Sequence, residues 1–513
     1  MFPHISCHAM SQVGVHIADV SYFVREGTPL DVEAEHRATS VYLVQKVIPM
    51  LPPLLCEQLC SLNPNVDRLA FSCIFRMTAD GCLCPKHETF YGKTVIRSCA
   101  KLDYGTAQRM VDGAVPTCPH TASSNEDAHI DLLPEEVWEA RRRPPLGCGQ
   151  KAWEIARDVQ LLHKVAMPRR AQRLAYGALQ LNNPKLTFRL DGDGNPCSMS
   201  TYEIKESNQL IEEYMLLANY LVAEKLVETV GRCGFLRMHA PPDSSGLESL
   251  VALGSKLGHH VGITSAHTLQ HSLKEIAATA SPVVTRAITA LMMLPMNSAE
   301  YFVIDKLPSD AWRHYALAIP YYTHFTSPIR RYADVMVHRF LLEGLKLEKQ
   351  QQHAHPKGQG QHDPNGGGIR QLSRRYPFAR LHAIAEQCNM RKSSAHAAQI
   401  RSDEVYLGVY LARYPALHNQ AEAVVIGVGE KSFSVLVLEF SLQMRIFLDK
   451  TDVISQPDSV YAADTQVLTL RHKVTGKELA VTYMTRVLVR VYARATPPPI
   501  TVQVELSPAT FDL

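Results

Sequence analysis

Residues 208–228 (NQLIEEYMLLANYLVAEKLVE) constrain the fold more than any other stretch of the chain. Leu210, Tyr214, Leu217 and Leu221 recur on one helical stripe, with Ile211, Met215, Ala218 and Val222 on the stripe beside it. A helix apolar over so wide an arc must be buried, and burying it takes a large domain. The chain can supply one: it has 513 residues, 46% of them hydrophobic and 20% charged. At about 100–200 residues per domain that means two to four folded units. A disordered tail, a collagen-like fibre and a disulfide mini-scaffold are excluded. Lys+Arg 53 against Asp+Glu 50 leaves a net charge of +3, so an anionic partner must be held by local basic groups.

The texture changes along the chain. Residues 13–24 (VGVHIADVSYFV) read as a buried strand that starts at Val13 and runs into a loop, and helical periodicity follows over Leu30–Val47. Leu69–Met77 alternates as a strand, closed by the turn Ala79-Asp80-Gly81, with Thr89–Ser98 as its hairpin partner. Residues 112–149 form a polar insertion, 151–345 are dominated by helical signal, and 346–372 are a Gln/His/Gly-rich loop. Helical pattern resumes at 373–412. From 419 to 494 the short runs EAVVIGV, SFSVLVL, MRIFL, QVLTL and TRVLVRVYA predict a small OB-type barrel, with 495–513 as a tail. The twelve cysteines include no CxxC and are expected to be idle thiols. Residues 1–12 lack signal-peptide character, and no uncharged stretch reaches the roughly 18 residues of a membrane span.

Most motif readings fail. Gly92-Lys93-Thr94 resembles the end of a phosphate-binding loop, but His87 stands where that loop needs glycine. The exception is Tyr321–Leu345, YYTHFTSPIRRYADVMVHRFLLEGL. Ser327 and Pro328 predict a helix start, and Ile329, Ala333, Val337, Phe340 and Leu341 an apolar stripe. Arg330, Asp334 and His338 fall at four-residue spacing on another face. A guanidinium in the first turn of a helix suits a phosphate, though an ordinary surface helix with an Arg–Asp pair fits the spacing as well.

Together with VGVHIADVSYFV and RATSVYLVQKVIPMLPPLLCEQLCSLNP, this run resembles the RNase II (RNB-domain) family of 3′–5′ exoribonucleases. The resemblance begins at Val13. The stretch SVYLVQKVIP is most similar to the eukaryotic cytoplasmic, exosome-independent branch acting on uridylated RNA. The resemblance implies a mixed α/β RNB domain over 13–412, followed by an S1-type OB barrel that helps to feed single-stranded RNA into a channel. It also implies a monomer that works in the cytoplasm or P-bodies on 3′ oligo-U ends and has no membrane partner. Residue by residue, it implies that Arg330 engages the scissile phosphate, that Tyr104 contacts the 3′-terminal nucleotide and that Tyr42 lines the channel. Glu213 is the implied catalytic glutamate, with Glu212 as the alternative, and Arg331 joins the RNA contacts. His16, Asp19, Asp334 and His338 are supporting residues; His16 and Asp19 point opposite ways in a regular strand and are not expected to share a metal.

Mg²⁺ or Mn²⁺ is the implied cofactor, held in the family by an aspartate cluster just upstream of the GVHIADV strand. That cluster is absent upstream of Val13: residues 1–12 contain no Asp or Glu, so no metal ligand is assigned. Two readings follow: an N-terminally incomplete piece of an active enzyme, or a non-catalytic RNA-binding relative.

Overall fold

The computed structural model describes residues 10–115, 117, 147–180, 185–354, 372, 374–415, 418–496 and 498–512. Most of the 112–149 insertion and of the 346–372 loop lies outside them.

Strand β1 (Met10–Ala18) is followed by a short helix α1 (Val20–Phe23) and by α2 (Pro29–Arg37). The expected strand start at Val13 is corrected, since β1 already begins at Met10. Pairing with β4 (Asp67–Thr78) carries it that far: Met10 lies opposite Thr78, and Val13 opposite Phe75. Val13 is the first residue of β1 to be buried, and it joins the main core. Apolar pattern therefore marked where the core begins, and backbone pairing extends the strand beyond it.

The predicted helix over Leu30–Val47 stops early: Ala38 adopts φ +55°, and a small hairpin of β2 (Val41–Tyr42) and β3 (Val47–Ile48) takes its place. Strands β4 and β5 (Phe90–Arg97) form the expected hairpin and pair with β1 in the order β1-β4-β5. Helices α3 (Tyr104–Val111) and α4 (Ala152–Ala175) come next, then a hairpin, β6 (Lys185–Leu190) and β7 (Pro196–Tyr202), which the helical signal of this region conceals.

The wide apolar stripe becomes α5 (Glu206–Thr229), with Leu210, Tyr214, Leu217 and Leu221 in the main core and Ile211 left exposed. β8 (Phe235–Met238), α6 (Ser244–Lys256), α7 (Ala266–Thr279), α8 (Pro282–Met293) and β9 (Glu300–Val303) follow, and β8 pairs antiparallel with β9. Helix α9 (Tyr332–Ala354) runs beside α5 and is buried on every side from Tyr332 to Leu341. That excludes the surface-helix reading of Tyr321–Leu345. The helix begins four residues later than the Ser-Pro pair suggests, because residues 327–331 form a tight turn instead.

Helix α10 (Phe378–Arg413) leads to the β-rich part. β10 (Ala421–Val428), β11 (Ser432–Val437), β12 (Leu442–Phe447), β13 (Val460–Ala462), β14 (Val467–Arg471), β15 (Glu478–Val481), β16 (Arg486–Arg494) and β17 (Thr501–Leu506) follow one another. Five strands form one sheet in the order β12-β11-β10-β16-β17, and β12 lies against β17, which nearly closes an OB-type barrel. Two expectations are corrected. QVLTL belongs to a separate sheet, β13-β14-β15, and the fifth barrel strand comes from the supposed tail. The reason is legible in TVQVEL, whose Val502, Val504 and Leu506 alternate inward and complete the barrel core. Leu407 and Leu411 of α10 enter this core, and the β6–β7 hairpin packs on it through Leu186, Phe188 and Met199.

Candidate functional site

The turn before α9 is held rigidly from inside. Asp334, fully buried, accepts the Ser327 N–H at 2.6 Å and both Nε and Nη2 of Arg331 at 2.7 Å. The bidentate fork is the geometry that suits a guanidinium best. Burial alone would ease the proton off Arg331, but the Asp334 carboxylate wins and holds it well above the usual range. Two expectations change. The Arg–Asp pair of this motif is Arg331–Asp334 rather than Arg330–Asp334, because the turn rotates Arg330 outward. Arg331 is 15% exposed and its donors face Asp334, so its visible role is to fix the turn rather than to contact RNA.

Arg330 is exposed, and its side chain makes no hydrogen bond or ion pair among the described residues. Its backbone is nevertheless pinned. Ser40 N–H donates to the Arg330 carbonyl at 3.0 Å, Thr39 Oγ1 donates to it at 3.2 Å, and Tyr332 N–H donates to Ala38 O at 2.8 Å. These bonds lock the turn against the segment that opens the β2–β3 hairpin, in which Tyr42, 42% exposed, follows Ser40 by two residues. An unpaired guanidinium suits a phosphate, and an open ring suits a base.

Beneath the turn, Tyr332 Oη donates to Asp31 Oδ1 at 2.9 Å, and Arg339 Nη2 reaches the same oxygen at 2.6 Å. His338 is buried between Phe325 and Phe71; its Nε2 meets Phe325 O at 2.8 Å, and burial lowers its proton affinity. It is a core residue, neutral at physiological pH.

Tyr104 opens α3 and is 46% exposed. Asp103 caps that helix through Thr106 N–H at 2.9 Å, and Ser207 Oγ at the start of α5 donates to the Tyr104 carbonyl at 2.8 Å. Ser207, which composition and spacing did not single out, thus ties Tyr104 to the helix that carries Glu212 and Glu213. Among the described residues no hydrogen bond or ring contact joins Tyr104 to Arg330 or Tyr42.

Glu213 is fully buried. It meets Arg173 Nη2 at 2.6 Å and Arg170 Nη1 at 3.2 Å, while Glu212, part exposed, also reaches Arg170 at 3.0 Å. These contacts bolt α4 to α5. His16 Nδ1 meets Ser72 Oγ at 2.6 Å, and burial lowers its proton affinity. Asp19, just past the end of β1, binds Lys93 Nζ at 2.8 Å and accepts from Ser21 Oγ at 2.7 Å.

Each of these carboxylates is therefore already matched by a cation. Among the described residues no three His, Cys, Asp or Glu side chains converge in the way a divalent ion requires. The described residues upstream of Val13 are Met10, Ser11 and Gln12, which bring no carboxylate, and Val13 itself is an aliphatic core side chain with nothing to offer an ion. The described residues do not fit a Mg²⁺ or Mn²⁺ centre.

Sequence reasoning also missed a basic patch behind the turn. Arg237 on β8 lies 4.8 Å over the Tyr301 ring, and Lys392 on α10 donates to Ala299 O at 2.9 Å; burial, then Arg237, lowers this amine to about 8. His314, 5.0 Å from His239 between ring centres, is lowered to about 3 by burial, then by His239 and Arg237. The run FLRMH held the only hint: a cation inside an otherwise apolar strand and a histidine just after it.

Residues 5–346 match the RNB domain, a match that starts upstream of Val13, where the motif resemblance begins. DIS3-like exonuclease 2 of Caenorhabditis elegans is 36% identical over 441 residues, 86% of this chain and 46% of that protein. The protein named inactive exonuclease DIS3L2 of Arabidopsis thaliana is 35% identical over 464 residues, 86% of this chain and 42% of its own. This chain thus spans under half the length of these relatives. Among solved structures, Mycoplasma genitalium RNase R in complex with ribose-methylated single-stranded RNA superposes with a TM-score of 0.70 at 19% identity, covering 94% of this chain and 64% of the other. No described helix is long and apolar enough to cross a membrane.

Proposed function

Because this chain belongs to the RNB-domain family, we propose that it grips the 3′ end of single-stranded RNA as part of a processive 3′–5′ exoribonuclease. Preferred ends are oligo-U tails, products are nucleoside monophosphates, and the setting is cytoplasmic RNA decay, P-bodies included, with the chain acting as a monomer. One observation carries the reading: Arg330 projects unpaired from a turn that is pinned to the segment running into the exposed Tyr42. The guanidinium takes two phosphate oxygens at once, and the ring stacks on a base without regard to sequence. Tyr104 offers a second ring, and the barrel a guide for the incoming strand. RNase R, which shares the fold, has been captured with RNA.

Hydrolysis calls for Mg²⁺ or Mn²⁺, which would polarise the phosphodiester and supply the attacking hydroxide. The described residues hold the substrate and do not hold that ion. The neutralised carboxylates therefore favour a second reading for these residues alone, RNA binding without cleavage, and one relative is itself named inactive.

Two measurements test both readings. Labelled oligo-U should bind more tightly than a hairpin of equal length, with affinity falling as salt rises; equal affinity for both would sink the end-gripping model. A time course on 3′-uridylated RNA, with and without EDTA, should show no shortening by residues 1–513. Brisk EDTA-sensitive shortening would overturn the binding-only reading and point to carboxylates other than those described.

A further inference from the structure

The turn before α9 carries hydrogen-bonding capacity that its own surroundings leave unused. Arg237 is 7% exposed, and its Nη1 is buried with no hydrogen-bond partner among the described residues; Thr326 Oγ1, just before the turn, is in the same condition. The ring under Arg237 belongs to Tyr301, whose hydroxyl lies 2.6 Å from His324 Nδ1.

That contact fixes a tautomer. A phenol has one proton to give, and no other described atom accepts it from the buried Tyr301. Leaving the proton ungiven would cost more than the bond gains. Tyr301 therefore donates, Nδ1 accepts, and the imidazole proton sits on Nε2. The two ring nitrogens face nearly opposite ways, so Nε2–H is turned away from Tyr301. It makes no hydrogen bond to any described residue and is not among the atoms sealed from water, and His324 as a whole is half-buried.

The charges around the ring are one-sided. Arg237 faces it from β8, Arg330 and Arg331 from the turn, and His314 and the Tyr322 ring from the preceding loop, while Asp334 is occupied by Arg331. Burial first, then the three guanidiniums, keep the imidazole neutral, well below the usual histidine range. A neutral donor set among surplus cations meets whatever oxygen those cations attract.

We propose that His324 is a second contact to the RNA strand, its Nε2–H donating to a non-bridging oxygen of the phosphate that Arg330 engages. The inference rests on the reading of Arg330 given above. It makes His324 a substrate-binding donor and removes it from proton transfer, since a ring held neutral in this tautomer exchanges no proton near neutral pH.

The test is a fluorescence-anisotropy titration of the full chain with labelled oligo-U. Wild type and Arg330→Ala come first: no binding by wild type, or equal binding by both, overturns the reading of the turn itself, whatever His324 does. With that contrast established, His324→Leu should bind about tenfold more weakly. His324→Gln, which keeps an N–H near the Nε2 position, should stay within about threefold of wild type. The wild-type-to-Leu ratio should hold steady from pH 7.5 to 5.5 and be the same on oligo-dT. Equal binding by His324→Leu overturns the proposal, and so does a ratio that grows as pH falls, which would mean a charged ring. A ratio that vanishes on oligo-dT moves the contact to the ribose hydroxyl and overturns the phosphate assignment. If His324→Leu does not fold, Tyr301→Phe frees the tautomer instead; an affinity unchanged from wild type would then overturn it.

Discussion

The α4–α5 interface and the turn before α9 are both dense in arginine, and they balance their charges in opposite ways. At α4–α5, Glu212 and Glu213 meet Arg170 and Arg173 in a network where every carboxylate has a guanidinium. At the turn, Asp334 answers Arg331, while Arg330, Arg237 and Lys392 form no ion pair among the described residues. Paired buried charge is architecture, because removing either partner strands the other in a low dielectric. Surplus charge is stored attraction for an anion that arrives from outside.

The largest test removes one side of the balanced region. Glu213→Ala takes the buried carboxylate from Arg170 and Arg173, leaves them only the part-exposed Glu212, and should cost about 3 kcal/mol of stability. Urea unfolding measures it. A loss under about 1 kcal/mol would mean that the network is not what bolts α4 to α5.

Next comes the pair of adjacent arginines, which should separate stability from binding. Arg331→Ala strands the fully buried Asp334 and should destabilise by about 3 kcal/mol or more. Arg330→Ala changes an exposed side chain and should leave the unfolding midpoint almost untouched, yet weaken oligo-U binding about tenfold or more. If the two variants exchanged phenotypes, the comparison would fail.

The fold was largely legible, and the site only in part. Apolar periodicity located α5 and α9, and alternation located β1, β4, β5 and most of the barrel, because burial on one face or on all faces leaves a direct mark on sequence. What escaped depended on three-dimensional partners. The polar start of β1 before Val13 is strand only because β4 pairs with it. β17 was hidden behind the proline run, although TVQVEL alternates. The β6–β7 hairpin was masked by helices on either side and declares itself only by packing on the barrel. At the site, spacing put Arg330, Asp334 and His338 on one helix face, but it could not show that the aspartate holds Arg331 instead; a tight turn decided that. Arg237, Tyr301 and His324 meet across two strands and a loop, a juxtaposition that no local pattern encodes.

A smaller effect belongs to the open side of the turn. Tyr42 is exposed and belongs to no core cluster, so Tyr42→Ala should barely move stability while costing about 1–3 kcal/mol in binding, one base's worth of stacking. Tyr42→Phe should keep nearly all of it. Comparing the two by anisotropy separates stacking from hydroxyl chemistry, and a Phe variant as weak as Ala would exclude the stacking role.

The gentlest probe of the contrast is pH, because surplus cations leave their mark on the histidines packed against them. His314 is buried 5.0 Å from His239, and burial, then His239 and Arg237, lower it to about 3 in the folded chain. Unfolded, it titrates near 6.5. Between those values the unfolded state binds a proton that the folded state refuses. The stabilisation is therefore complete above about pH 6.5 and is lost as pH falls toward 3, at about 1.4 kcal/mol per pH unit for this one histidine. His239, His324 and His338 are shifted the same way and add to the slope with the same sign. Urea midpoints at pH 7.5, 6.5, 5.5 and 5.0 should hold level over the first interval and drop steadily after it. His314→Asn should remove about one proton's worth of that drop. A stability that stays flat down to pH 5 would mean that these rings accept protons in place, and that the region behind the turn carries less surplus positive charge than its unpaired arginines and lysine indicate.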